Sequence, residues 1–341
     1  MDLPFFPDSG PLLASHAAAP GETGNMLPRL ALGALDGAAS MTAFEVAERL
    51  PALASLAQVQ AHTLCLVPSP SLDFEQVQAA LAWARQQVGA GAAGVVLSQG
   101  TDNLEETAYL LGLQWAEQVP LVLTGAMRGA DDVGADGPAN LLDAARVALD
   151  SASIGRGALV VMNRQVHQAG DVRKVNALAL EAFASPNTGP IGHVIEGRVR
   201  YRLPPAPLPE PLVVERFDQR VALIEATLGE GPELLQGALR AGYAGVVIAG
   251  FGAGHVPAGW VSTLALAARH MPVIVASRTG AGTTAFHTYG FAGGEIDLQR
   301  HGIHMAGELC PRKCRLLLWA LVGAGAGESL PARLAAGTAA A

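Results

Sequence analysis

Short aliphatic runs that end in glycine-rich turns, each followed by a helical stretch, recur along this chain and constrain its fold more than any other feature. Leu30–Leu35, Thr63–Val67, Gly94–Ser98, Pro120–Leu123 and Gly157–Met162 read as strands. Phe44–Ala57, Phe74–Val88, Asn103–Trp115 and Pro138–Leu149 read as the helices around them. Strands that are apolar along their length and separated by helices belong to a parallel sheet covered on both faces. The alternation stops at Leu203-Pro204-Pro205-Ala206-Pro207-Leu208-Pro209-Glu210-Pro211, where five of nine residues are proline. Such a run is neither helix nor central strand and predicts a semi-rigid linker. Beyond it come strands at Val221–Ile224, Gly245–Ala249 and Val273–Ala276, and helices at Gly231–Ala241, Ala258–Arg269 and Arg312–Val322. The predicted fold is α/β, with two domains built on mainly parallel sheets. A larger N-terminal domain spans 30–203, a linker 204–213 and a smaller C-terminal domain 214–330. Residues 1–29, rich in Pro, Gly and Ala, predict a poorly ordered arm, and the Ala/Gly-rich tail from about Gly323 is expected to fray.

Composition narrows the function. The 341 residues carry 22 Lys plus Arg against 30 Asp plus Glu, a net charge of −8. A nucleic-acid protein needs basic surface to neutralise phosphate, so this balance argues against one. Half the residues are apolar and 15% are charged, enough for a large core and too few charges for disorder. The cysteines are Cys65, Cys310 and Cys314, an odd and sparse set that makes no disulfide framework. Cys310 and Cys314 share a helix face, but no further Cys/His pair stands at metal-ligand spacing. The sequence has neither a membrane-length apolar run nor a signal-peptide pattern at its start, and a soluble cytoplasmic protein is expected.

Ligands of open α/β sheets bind beyond the carboxyl ends of the strands, so the loops there are the candidates. After Ser98 comes Gln99-Gly100-Thr101-Asp102-Asn103-Leu104-Glu105-Glu106. Thr101 and Asp102 stand at a helix start, where free amides and the helix dipole favour anions. The plainer reading is a capping box with Glu105 as the reciprocal partner. After Leu123 comes Thr124-Gly125-Ala126-Met127-Arg128, then Ala135-Asp136-Gly137-Pro138-Ala139-Asn140. Asp136 reads as a helix cap and Arg128 as a partner for Asp131 or Asp132. Asp171-Val172-Arg173-Lys174 follows the next strand, and a lysine in so apolar a stretch is a candidate buried base. Gly250-Phe251-Gly252-Ala253-Gly254-His255 is glycine-rich but lacks the dinucleotide fingerprint, and no serine-hydrolase elbow occurs.

Taken together, these loops resemble the bacterial-type L-asparaginases and glutaminase-asparaginases. Gln99 to Tyr109 resembles the family's H-G-T-D-T-x-E-E-T-A signature. Leu123 to Arg128 resembles L-T-G-A-M-R, Ala135 to Leu141 resembles A-D-G-P-x-N-L, and Asp171 to Lys174 is similar to R-D-V-x-K. Ser185 to Gly192 is similar to the loop that follows. The resemblance implies hydrolysis of the side-chain amide of asparagine, sometimes glutamine, with ammonia released and no cofactor. It also implies a homo-oligomer, a dimer or the family's tetramer. By resemblance Thr101, Asp102 and Lys174 are the catalytic group. Ser69, with Thr101 and Asp102, holds the substrate, and a backbone group at Ala126 contacts the amide.

The likeness breaks at the first strand. The family's T-G-G-T-I reads Leu35-Asp36-Gly37-Ala38-Ala39-Ser40-Met41, so the usual nucleophile position is Ala38. Thr23-Gly24-Asn25-Met26 offers another register, without a strand before it. The family's lid with its tyrosine is shortened away, Gln99 stands for His and Asn103 for Thr. His255 falls where a neighbouring subunit commonly offers Asn. Two readings follow: an amidohydrolase working through Thr101 and Lys174, or an impaired homologue that binds a small acidic amino acid or acts on a different amide.

Overall fold

The computed structural model describes residues 27–35 and 50–337. Before the proline run the strands are β1 (Arg29–Ala34), β2 (Gln58–Thr63), β3 (Gly94–Ser98), β4 (Leu121–Thr124), β5 (Ala158–Met162), β6 (Gln165–Gln168), β7 (Arg173–Lys174), β8 (Phe183–Ala184), β9 (Gly192–Ile195) and β10 (Arg198–Tyr201). Eight of them form one sheet in the order β10-β9-β6-β5-β4-β3-β1-β2, and β7 and β8 pair as a separate antiparallel ribbon. β2, β1, β3, β4 and β5 run parallel. Winding reverses between β1 and β3, and the carboxyl ends of strands at such a reversal open a crevice.

After the proline run, β11 (Val221–Glu225), β12 (Gly245–Gly250), β13 (Val273–Ser277) and β14 (His304–Met305) form a second, parallel sheet in chain order. The mixed α/β architecture with mainly parallel sheets is therefore the one the alternation predicts. Alternate residues of the central strands feed opposite layers. Val95, Leu97, Leu121 and Leu123 pack with the helices Phe74–Gly89 and Leu104–Gly112. Val96, Val122, Leu159 and Val161 pack against the Gly137–Leu149 helix. The Pro311–Gly323 helix lies between the sheets. It contacts the Leu104–Gly112 helix on one side and β11 and β12 on the other, and Trp319 stacks on Phe74 with ring centroids 3.9 Å apart.

Several sequence expectations are corrected. The second strand is Gln58–Thr63, not 63–67. It is an edge strand pairing from Arg29↔Gln58 to Ala34↔Thr63, and its polar outward residues hide it from an apolar search. Of the helix predicted over 44–57, the described part is helical only at Pro51–Ala54. Two hairpins extend the sheet by the antiparallel strands β6, β9 and β10, which the alternation did not reveal. Their turns, Asn163-Arg164 and Glu196-Gly197, place all four residues at positive φ, the geometry of tight two-residue hairpins. The tail does not fray from Gly323: Leu330–Ala336 is a helix whose Leu330 and Leu334 are buried in the main core. The predicted linker is irregular and largely exposed, but Leu212 is buried and its amide donates to the Leu113 carbonyl at 2.8 Å. The predicted arm, except its last residues, and Ala38 lie outside the described residues.

Candidate active site

The crevice is framed by the ends of β1, β3 and β4. The Leu35 amide donates to Ser98 O (2.9 Å) and the Gln99 amide to Thr124 O (3.0 Å), so the three strand ends stay laced as they leave the sheet. β3 then delivers Gly100, Thr101 and Asp102 into the crevice ahead of the Leu104–Gly112 helix. Thr101 is 8% exposed.

Lys174 arrives from β7, which pairs with Phe183 and Ala184 of β8. Its Nζ donates to Thr101 Oγ1 at 2.8 Å and to Asp102 Oδ1 at 2.7 Å. The lysine side chain is 15% exposed and that of Asp102 59%. The ammonium thus bridges a buried hydroxyl and a carboxylate at the solvent mouth. The predicted capping box does not form. Asn103 is the helix cap and makes no side-chain cap bond. Glu105 is 2% exposed and is spent elsewhere: it accepts from the Lys174 backbone amide and, at 2.7 Å, from Arg312 Nε. A buried carboxylate between two donors is stabilised where an unpaired one would be costly.

The other predicted residues are drawn to the same place by neighbours. Asn103 Nδ2 donates to the carbonyl of buried Ser69, and Gln99 Nε2 donates to Asn103 Oδ1 at 2.9 Å, tying the Ser69–Ser71 turn to the Thr101 loop. Ala126 follows Gly125, where a Cβ would lie 2.5 Å from Gln99 O and 3.1 Å from Thr101 Cγ2. Only glycine lets the β4 loop approach Thr101 so closely. Asp136 stands at the N-cap position of its helix, as expected, but makes no side-chain cap bond. Its carboxylate accepts from the amides of Met127 (3.0 Å) and Arg128 (2.9 Å), clamping the loop that holds Ala126. Asn140 Nδ2 braces the same loop through Gly125 O at 3.0 Å. The expected Arg128 ion pair is absent among the described residues: Arg128 donates to Gly134 O, and Asp132 accepts from the Gly129 amide.

His255 sits in the second half, with Nε2 3.3 Å from Glu295 Oε2 and its ring edge-on to Tyr289 and Phe291. Burial opposes ionisation of Glu295, but the Tyr289 and Thr288 amides and the His255 ring outweigh it and hold the carboxyl below its usual range. Cys314 is core, its thiol pushed up by burial. Among the described residues no group of three or more His, Cys, Asp or Glu is placed to hold a metal ion.

With this geometry in view, comparison with known proteins is decisive. Residues 31–207 match the asparaginase N-terminal model and residues 220–330 the glutaminase/asparaginase C-terminal domain. The chain belongs to the asparaginase family. Asparaginase-family relatives include a "Probable L-asparaginase" of Deinococcus radiodurans, 40% identical over 81% of this chain and 85% of that protein. A "Probable L-asparaginase periplasmic" of Haemophilus influenzae is 36% identical over 80% of this chain and 77% of its own. L-asparaginase 2 of Escherichia coli is 36% identical over 66% of this chain and 65% of its own. Within the asparaginase N-terminal region fall Ser69, Thr101, Asp102, Ala126 and Lys174. The C-terminal region supplies Arg312 and Lys313, whose contacts with the site loops the sequence did not disclose.

Proposed function

We propose that this protein hydrolyses the side-chain amide of L-asparagine, with L-glutamine as the second substrate, and releases ammonia. The observation that carries the reading is the Lys174 ammonium held between Thr101 Oγ1 and Asp102 Oδ1 at the β1/β3 reversal. A threonine hydroxyl is a weak nucleophile without an adjacent base. In the neutral amine form of Lys174, the contact that now donates to Thr101 accepts its proton instead. Thr101 Oγ1 then attacks the amide carbon, and the proton passes to the departing nitrogen as ammonia leaves. A water, deprotonated by the same amine, attacks the acyl carbon; the ester bond to Thr101 Oγ1 breaks, the ammonium returns the proton to that oxygen, and the carboxylate product leaves. Asp102, at the mouth, pairs with the substrate ammonium, while Ser69 and the amide at Ala126 orient substrate. No cofactor is required by these steps.

The test is ammonia release from both amides beside Thr101→Ala. The variant is expected to lose at least about 10³-fold in kcat, because residues of such a unit fail together. Unchanged turnover removes Thr101 from the mechanism. A second reading is favoured by Ala38, which lacks the hydroxyl that the resemblance places there: a homologue that binds a small acidic amino acid without turnover. Titration calorimetry with aspartate and glutamate decides it, heat of binding without any ammonia release supporting that reading.

We propose that the polypeptide divides at 204–213 into units of 30–203 and 214–330, each around its own sheet, and that it works in the cytoplasm as a homo-oligomer. Cysteine is sparse, three in 341 residues, which suits a reducing compartment. Light scattering and cell fractionation test the last two points.

A further inference from the structure

Lysine occurs twice in 341 residues, at 174 and 313, so the remaining 20 of the 22 cations are arginine. The two lysines are not independent. Lys313, on the Pro311–Gly323 helix, is 1% exposed. Its Nζ donates to Ala169 O at 2.8 Å, Gly170 O at 2.9 Å and Val172 O at 2.6 Å. The ammonium also stands 5.6 Å over the Tyr109 ring. Those three carbonyls belong to the turn that ends two residues before Lys174. An ammonium offers three tetrahedral donors to three converging carbonyls, which the planar fork of arginine cannot match. The neighbouring Arg312 holds Glu105, and Glu105 in turn accepts the Lys174 backbone amide. Consecutive residues of one helix from the C-terminal half therefore grip the Lys174 segment on both sides.

We propose that Lys313, seconded by Arg312, is a positioning residue: it sets the Lys174 backbone so that Nζ reaches Thr101 Oγ1. The inference rests on the proposed role of Lys174, yet it has a readout that does not depend on turnover. Protein labelled with ¹³C-lysine gives two Cε signals, assigned by the one each lysine variant removes. In Lys313→Met the single remaining signal, that of Lys174, is expected to leave its wild-type position. A signal that stays in place overturns the proposal whether or not the protein releases ammonia. Where ammonia release is measurable, Lys313→Met is expected to lower kcat about 10²-fold with KM changed less than about threefold, the scale of a misplacement near 1 Å. Combined with Lys174→Met it is expected to cost nothing further. Multiplying losses in the double variant mean that Lys313 does not act through Lys174 and overturn the proposal. Should Lys313→Met not fold, Arg312→Gln carries the test, since that arginine side chain is 40% exposed. It is expected to move the Lys174 signal and lower kcat about tenfold, at most the scale of the larger misplacement above. An unmoved signal again overturns it.

Discussion

One buried histidine is expected to make this molecule sensitive to acid. His167 is fully buried, with Nδ1 2.9 Å from Ser185 Oγ. Burial, with the His193 ring and the Lys313 ammonium, lowers its pKa from 6.5 to about 4. The unfolded imidazole takes its proton near 6.5, the folded one only near 4, so in that window the unfolded state binds more protons. The stability this neutral histidine contributes is therefore complete above pH 6.5 and is lost as pH falls toward 4, by on the order of 3 kcal/mol. Urea midpoints at about pH 7 and about pH 4.5 should differ more in the wild type than in His167→Gln. An equal loss in both excludes this histidine as the cause. At the same scale, the sequence singled out Thr101, Asp102 and Lys174 as candidates but not their wiring. Glu105 has the spacing of a capping partner, and only the sheet order reveals that it faces Lys174 and Arg312 instead.

Among the elements, the β4 loop and the Pro311–Gly323 helix govern the site. Gly125→Ala places a methyl 2.5 Å from the backbone oxygen of Gln99, so the loop or Thr101 must shift. Its kcat is expected to fall about 10²-fold while the protein stays folded, checked by ammonia assay beside circular dichroism. Trp319 is 1% exposed and stacks on Phe74 across the two halves. Trp319→Ala is expected to cost about 3–5 kcal/mol in urea unfolding. A loss below about 1 kcal/mol would show that the stack is incidental. The element reading worked where strands are apolar throughout, as in β3, β4 and β5. It missed β2, whose outward residues Gln58 and Gln60 are polar, and the hairpins of β6, β9 and β10, whose strands are four residues long and carry alternating or polar residues.

For the whole molecule, one core decides how the halves behave. Val95, Leu104 and Leu123 share a single buried cluster with Val221, Val247, Leu317 and Leu334. The protein is therefore expected to unfold in one cooperative transition, with near-UV and far-UV circular dichroism superimposing. Expressed alone, residues 27–213 are expected to lack the near-UV signal of a packed core, because the helix that covers them lies beyond residue 310. Two separate transitions would contradict this.

The amino-acid order alone determined the α/β class and which turns follow the apolar parallel strands. Those properties are local: apolar periodicity, glycine and proline act over a few neighbours, and a strand end followed by a turn exposes whatever residues stand there. Tertiary structure alone decided which groups meet. Lys174 reaches Thr101 across 73 positions of chain, Arg312 reaches Glu105 across 207, and Lys313 reaches Ala169 across 144. Such contacts depend on strand order and on one helix wedged between two sheets, and no pattern within a short window encodes them.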